Sequence, residues 1–475
     1  MMTINKINFL PISIVFFGIV VGLFIHPFTQ FPMKFAVVFL FAIGFSFLML
    51  VTHFSRRIIY LSMCVAFILY LDFYLVHVDH AGIVHGISMS VIDFLMIILI
   101  VRRLLYSHEY PDIKPYQNTW KQGIGVSIFL VVAFSLSIIN SKYPILTLFA
   151  LVHYLKLLTL LLIVTFDISN GNELLDITGY LTIGLLVINL YCIMQYITKT
   201  NITVGFNVFE EPIWYKGPFV PVGPSGSANV TAGQIIGLTP FALATALRHP
   251  KSLYRLSAIF ILLLSIVVLV LTNSRAAWGI FMMSSFFMLI LLTIKKKISY
   301  KYILAVVIVS IIIGIAIIPL ILQEIDIQEL TDLQNIYARF NLLETSFMMV
   351  KDYPVLGIGL NTYTKLMMDY VPSIVLKFEW NYMVHNKYML VWSETGTLGI
   401  IAYLAFLFVM YKLLIGYIRK YNNEFIWVAI AILCSLFSMN FHMMFESYSG
   451  GAVIAFFWLL CGCIIAMNRL APSPN

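Results

Sequence analysis

The chain is written as a series of apolar runs of helix length, and that pattern constrains it more than any motif. Such runs lie near 8–26, 34–52, 58–78, 87–103, 122–140, 145–166, 176–197, 231–248, 253–272, 276–294, 302–321, 397–418, 424–442 and 450–467. Each is roughly 17–22 residues long, which as a helix matches a hydrocarbon core of roughly 30 Å. An outer-membrane barrel would instead show alternating segments of roughly 10 residues. Only 11% of residues are charged and 61% are hydrophobic; a soluble domain carries about 25% charged residues. The expectation is an all-α, polytopic membrane helix bundle of about 12–14 spans, forming one domain over 1–475. The five cysteines, Cys64, Cys192, Cys434, Cys461 and Cys463, fall inside apolar runs. They read as small buried hydrophobes, because no CxxC or other metal-ligand spacing accompanies them. Lys6 precedes an apolar run with no small-x-small cleavage site after it, so the first span is expected to be retained.

Charge distribution orients the bundle. Alternate loops collect 18 Lys and Arg on one side, among them Arg56, Arg57, Arg102, Arg103, Lys295, Lys296, Lys297 and Arg419, against 10 on the other. The richer side is expected to be cytoplasmic, with both termini on it. The net charge of +8 therefore reflects topology, not a nucleic-acid surface. Two outer loops are long, 198–230 and 322–396, and long loops are usually functional. The second contains a helical pattern in which Phe340, Leu343, Phe347 and Val350 form one apolar stripe, ended by Tyr353-Pro354.

Few residues in so apolar a chain can do chemistry. Arg275 interrupts the apolar text at LTNSRAAWG; it reads either as an interfacial anchor or as a clamp for a diphosphate, which guanidinium binds bidentately. Arg339 lies on the loop helix beside Phe340, either solvated near Glu344 or part of the same site. His385-Asn386 closes the 322–396 loop just ahead of a short helix that Gly396 ends. Asn386 suits a helix cap, and a neutral His385 can accept a proton near pH 7. Glu394 is no direct partner for it: nine helical residues mean roughly 13 Å of rise and half a turn out of phase. Lys156 and His153 share a helical face inside the sixth span, where a lysine either pairs with a buried acid or touches lipid phosphate. Gly357-Ile-Gly359 reads as a turn, and Asp72, Asp93 and Glu446 read as solvated span ends. No metal-ligand cluster is expected beyond a weak run of acids at Glu324, Asp326, Glu329 and Asp332. Two arginines and one histidine on one face suggest a site where a diphosphate leaves beside a base.

Three segments, LTNSRAAWG (271–279), ARFNLLETSFMMVKDYPVLGIGLNTY (338–363) and HNKYMLVWSETGTLGIIAYLAF (385–406), resemble the O-antigen ligases and O-antigen polymerases of bacterial surface-polysaccharide assembly. GPSGSANVTAGQIIGLTPFALA (223–244) adds a weaker likeness around Asn229. The resemblance implies a GT-C-type glycosyltransferase of the bacterial cytoplasmic membrane, with its site facing outward. The implied donor is an oligosaccharide on polyprenyl (undecaprenyl) diphosphate. Arg275 and Arg339 match the diphosphate-holding positions and His385 the proposed base; Asn386, Lys156 and Asn229 would support them. The expected reaction is metal-independent and inverting, with no cofactor. Expected partners are the bilayer, the lipid-linked glycan and a chain-length regulator or flippase of the same pathway. The preferred reading is polymerisation of lipid-linked repeat units, with ligation to lipid A core, protein or another acceptor as the alternative that the motifs do not separate from it. A solute transporter is the third reading, weakened because no matching pair of broken helices stands out.

The orientation is testable. A cysteine replacing Ser373 should react with an impermeant thiol reagent in cells whose outer barrier is made leaky; reaction only after inner-membrane lysis would reverse the topology.

Overall fold

The computed structural model describes residues 56–69, 72–78, 82, 84–106, 118–201, 219–249, 251–304, 337, 339–371, 383–448 and 451–471. Among them the order is α1 (Arg56–Leu69), β1 (Asp72–His77), β2 (Gly86–Ser90), α2 (Val91–Leu105), α3 (Trp120–Ser135), α4 (Pro144–Asp167), α5 (Gly171–Thr198), α6 (Ala228–Arg248), α7 (Ser252–Leu271) and α8 (Arg275–Ile294). There follow α9 (339–352), α10 (Tyr363–Tyr370), α11 (Lys387–Lys420), α12 (Ile426–His442) and α13 (Gly451–Arg469). Seven of the described helices are long and apolar enough to cross a membrane, as the hydropathy pattern requires. The chain is a multi-pass helical membrane protein. All five cysteines are buried and free.

Interhelical bonds define two ends. At one, Arg56 Nη1 donates to Asp167 O (2.9 Å), Arg469 Nε to Thr165 O (3.1 Å), and Lys295 Nζ to Tyr421 O (3.2 Å), while Arg248 pairs with Glu424 at 3.2 Å. This end gathers the starts of α1, α5, α7 and α12 and the finishes of α4, α6, α8, α11 and α13. It is the basic end. At the other, Thr147 Oγ1 donates to Leu360 O (3.0 Å) and Lys387 N to Met443 O (2.8 Å). There the starts of α6, α8 and α11 meet the finish of α12, so Asn229, Arg275, His385 and Asn386 share the end opposite the basic clusters.

Two expected spans take a different form. The run 58–78 yields only the 14-residue α1, and 87–103 begins with a strand. Between them β1 and β2 pair antiparallel, with Asp72 opposite Ser90 and His77 opposite Gly86. The hydropathy of DFYLVH hid a strand too short and too broken by polar residues to continue a helix. Ser90 then starts α2 with a reciprocal capping box to Asp93. Asn361 clips the hairpin to the late loop: its Oδ1 accepts from Val84 N (3.1 Å) and its Nδ2 donates to Val84 O (2.8 Å). The expected spans 8–26 and 34–52, and most of 302–321, lie outside the described residues.

The loop helix forms as α9, and its apolar stripe divides between inside and outside, with Val350 buried and Leu343 half-buried. Phe340 and Phe347 are 65% and 57% exposed, whereas Leu342, Thr345, Ser346 and Met349 are buried. A second apolar row therefore runs beside the first, and the row carrying two polar side chains packs inward. Ser346 and Thr345 can do so because their hydroxyls bond back to the carbonyls of Leu342 and Asn341.

The turn after α9 locks onto a break in α11. Gly396 has φ 66° and ψ −170° inside the helix, and Gly357 has φ 70°. Across the break, Ile358 N donates to Ser393 O and Gly359 N to Glu394 O, both at 3.0 Å; Thr397 N donates to Pro354 O (2.8 Å) and Leu398 N to Val355 O (3.2 Å). A Cβ on Gly396 would strike the Val355 carbonyl, and one on Gly357 the Glu394 carbonyl. The Gly396 conformation is practically reserved for glycine, and forcing a side chain into it costs about 1–3 kcal/mol before any collision. Gly396→Ala should therefore lower the unfolding midpoint of purified protein clearly. Gly416→Ala, in the same helix with open space around it, should leave the midpoint nearly unchanged. Equal midpoints for the two variants would contradict the interlock.

Candidate functional site

The site is built where α11 begins. Asn386, extended at φ −157°, accepts from Met389 N through Oδ1 (3.0 Å) and so caps the helix. Its Nδ2 donates to Met444 O (3.1 Å), and the next backbone amide, Lys387 N, donates to Met443 O (2.8 Å). Two bonds thus staple the start of α11 to the turn that follows α12. The staple brings His385 against Glu446, with Nδ1 3.5 Å from Oε1. That is ion-pair range, but Nδ1 is buried without a hydrogen bond of good geometry. Glu446 is 5% exposed. Burial pushes its carboxyl up, but the His385 imidazole, the Ser447 amide and the His442 ring outweigh that and hold it below the ordinary carboxylate range. His385 is 30% exposed, so its open part is the side away from Nδ1, which carries Nε2.

Polar groups surround this pair. The His442 ring stacks on Tyr448, with centroids 5.5 Å apart, and Tyr448 in turn packs on Gly233 of α6. Asn229 stands one turn nearer the start of α6, half-buried. Arg339, exposed on α9, is close enough for its charge to act on His442. Arg275 is exposed as the first residue of α8, on a turn tied down by Trp278 Nε1 donating to Leu269 O (2.7 Å). His385, Asn386, Asn229 and Arg275 therefore sit at one end of the bundle, and Arg339 joins them through α9.

Other sequence-derived candidates fall elsewhere. Lys156 pairs with Asp93 at 2.6 Å and also donates to Ser88 O (2.9 Å). Together with His153 they line a small cavity of about 40 Å³ between α2, α4 and α13. Asp93 is buried, not solvated as expected for a span end, because its carboxylate is taken by Lys156 and the Ser90 amide. Glu394 is buried and accepts from Tyr363 N (3.1 Å), so it serves the interlock and not His385. Glu446 was also expected on a solvated face; it is buried because the chain turns inward immediately after α12. The sequence signal was available in FHMMFES, where a histidine and a glutamate stand four apart at the close of an apolar run. Among the described residues, no group of three His, Cys, Asp or Glu could hold a metal ion. The acidic run 324–332 lies outside them.

Fold and site together define a multi-pass membrane protein with a polar, cation-bearing site at the end of the bundle opposite its basic loops. Residues 260–404 match the family model described as O-Antigen ligase (Wzy_C). No curated protein matches the chain. The matched segment, about a third of the chain, contains Arg275, Arg339, His385 and Asn386, and over it the chain is similar to that family.

Asn386 should show both of its roles in stability. Asn386→Ala loses a cap, costing about 0.5–2 kcal/mol, and the bond to Met444, about 1 kcal/mol more. Asn386→Asp keeps the cap and loses only the second bond. Unfolding midpoints should fall in the order wild type, Asp, Ala; a variant with Asp as unstable as Ala would contradict the division.

Proposed function

We propose that the protein polymerises oligosaccharide repeat units carried on polyprenyl diphosphate, as an inverting, metal-independent membrane glycosyltransferase of the bacterial cytoplasmic membrane. The observation that supports this best is the placement of His385 and Arg275 at the same end of the bundle, with Arg339 beside the His385 cluster. All three lie in the family-matched segment. In the proposed reaction an acceptor sugar hydroxyl attacks the anomeric carbon of the donor. Its proton passes to His385 Nε2, the new glycosidic C–O bond forms, and the old C–O bond to the diphosphate breaks with both electrons leaving on the phosphate oxygen. Arg275 and Arg339 balance that charge through bidentate, charge-assisted hydrogen bonds. Attack from the face opposite the diphosphate inverts the anomeric centre. With both termini cytoplasmic, the site would face outward, where a flipped lipid-linked glycan is presented.

Ligation is the second reading, and the matching family description favours it. In that case the hydroxyl belongs to lipid A core, a protein or another carrier, and the same residues act. Purified protein given a synthetic polyprenyl-diphosphate repeat unit distinguishes the two. A ladder of lipid-linked products supports polymerisation, transfer only to an added acceptor supports ligation, and no turnover with either contradicts both.

The same assay tests the arginines and the metal. Arg275→Lys keeps the charge but loses the planar fork, and should lose most turnover while folding normally; near-wild-type turnover would make Arg275 an interfacial anchor. Saturating chelator should leave turnover intact, whereas loss restored by magnesium would replace the arginine scheme with metal-assisted departure.

A further inference from the structure

We infer that Glu446 is a positioning residue for His385: its carboxylate holds the imidazole through Nδ1, so that Nε2 is the nitrogen presented to the reacting hydroxyl. The inference rests on the reading of His385 as the base. It adds a residue outside the family-matched segment 260–404, contributed by a different part of the chain.

The geometry carries the argument. A neutral imidazole is a base at only one nitrogen, and the hydrogen bond made by the other decides which. Here Nδ1 is buried and faces Glu446 Oε1 at 3.5 Å, while the exposed part of the ring lies on the far side. The carboxylate cannot swing away freely, because Oε1 also accepts from Ser447 N (2.9 Å) and the residue is 5% exposed. The two staples from Asn386 and Lys387 to Met444 and Met443 hold the elements that carry the pair. A separation of 3.5 Å is long for a finished hydrogen bond, and catalytic hydrogen bonds in unliganded sites commonly tighten only in the substrate complex. Proton uptake at Nε2 creates an imidazolium, which a carboxylate at Nδ1 stabilises as it forms. The other titratable groups around this pair are His442 from α12 and Tyr448 from the turn, whose ring stacks on His442, with the charge of Arg339 on α9 acting on His442. Lys387, the neighbouring cation on α11, interacts with Glu394 and His153, so the charge beside the ring is the Glu446 carboxylate, which favours the imidazolium.

Three variants in the polyprenyl-diphosphate turnover assay test this, each measured across pH. Glu446→Gln should lower kcat by at least about 10-fold, and up to the roughly 10,000-fold seen when a triad carboxylate is lost. Donor KM should change little. A base works deprotonated, so the rate falls on the acid side; removing the nearby negative charge should move that acid limb to lower pH. Glu446→Asp keeps the charge at shorter reach, so it should lower kcat less and leave the limb in place. His385→Gln, which cannot take up the proton, should lose turnover at every pH. If His385→Gln retains wild-type turnover, the reading of His385 as base fails. If His385→Gln is inactive but Glu446→Gln keeps both its kcat and its acid limb, only the role of Glu446 fails. Should Glu446→Gln not fold, Glu446→Asp decides: a lower kcat with an unmoved limb supports the role, and an unchanged kcat overturns it.

Discussion

Four backbone hydrogen bonds across the break at Gly396 organise the end of the molecule where chemistry is proposed. They join the 354–359 turn to residues 393–398 of α11, main chain to main chain, which side chains at Gly357 and Gly396 would prevent. Much else hangs from this joint. Glu394 reaches from it to the amide that starts α10; Asn361, two residues beyond Gly359, clips the β1–β2 hairpin; Leu360 O receives Thr147 of α4. The large loop is therefore not a free appendage over its described part. It is bonded to an early hairpin, an early helix and a late helix, and α9 is held above the start of α11 as a consequence. The amides and carbonyls of this turn are paired within the protein, as polar backbone packed among apolar helices requires.

The joint and the Asn386 staple act on the two ends of one short helical segment, 387–395. Gly396 fixes where that segment stops, and Asn386 with Lys387 fixes where it starts relative to α12. His385 sits immediately before the fixed start. Its backbone position depends on bonds at both ends of nine residues: main-chain bonds at the break, and the Lys387 amide with the Asn386 side chain at the start. Preorganisation of this kind is what proton transfer requires, since a misplaced base forfeits most of its advantage. The charged residues elsewhere have other work. Arg56, Arg248, Lys295 and Arg469 pair with carboxylates and free carbonyls at the basic end, and Lys156 with Asp93 pins the start of α2 to the middle of α4.

Hydropathy made most of the bundle legible, because a membrane helix must satisfy its backbone internally and advertises its length in apolar residues. The described helices α3 to α8 and α11 to α13 begin or end within a few residues of the expected runs, and the short helix that Gly396 ends is present as the 387–395 segment of α11. The alternation of Lys and Arg corresponds to a real basic end. Local chemistry was legible too: Asn386 is the cap its position suggested, and Glu394 points away from His385 as the helical phase demanded. What failed was anything decided by distant contact. Hydropathy cannot separate a strand from a helix in a short apolar run, so the hairpin was read as two span ends. Which side of α9 packs inward is not legible either, since Phe340 and Phe347 lie exposed while Thr345 and Ser346 join Leu342, Met349 and Val350 inside. Glu446 reads as a span-end acid in sequence, since its partner lies 61 positions earlier and only the staple between two turns brings them together.

Glycan transfer is proposed at the end of the bundle that holds His385 and Glu446. The most direct test is photo-crosslinking of the purified protein with a polyprenyl-diphosphate donor bearing a diazirine on its first sugar, followed by peptide mapping. Labels should fall on peptides carrying 383–389, 442–448 and the start of α9, and should diminish when unmodified donor competes. Competable labelling confined to the basic end, or to the Lys156 cavity, would contradict the account.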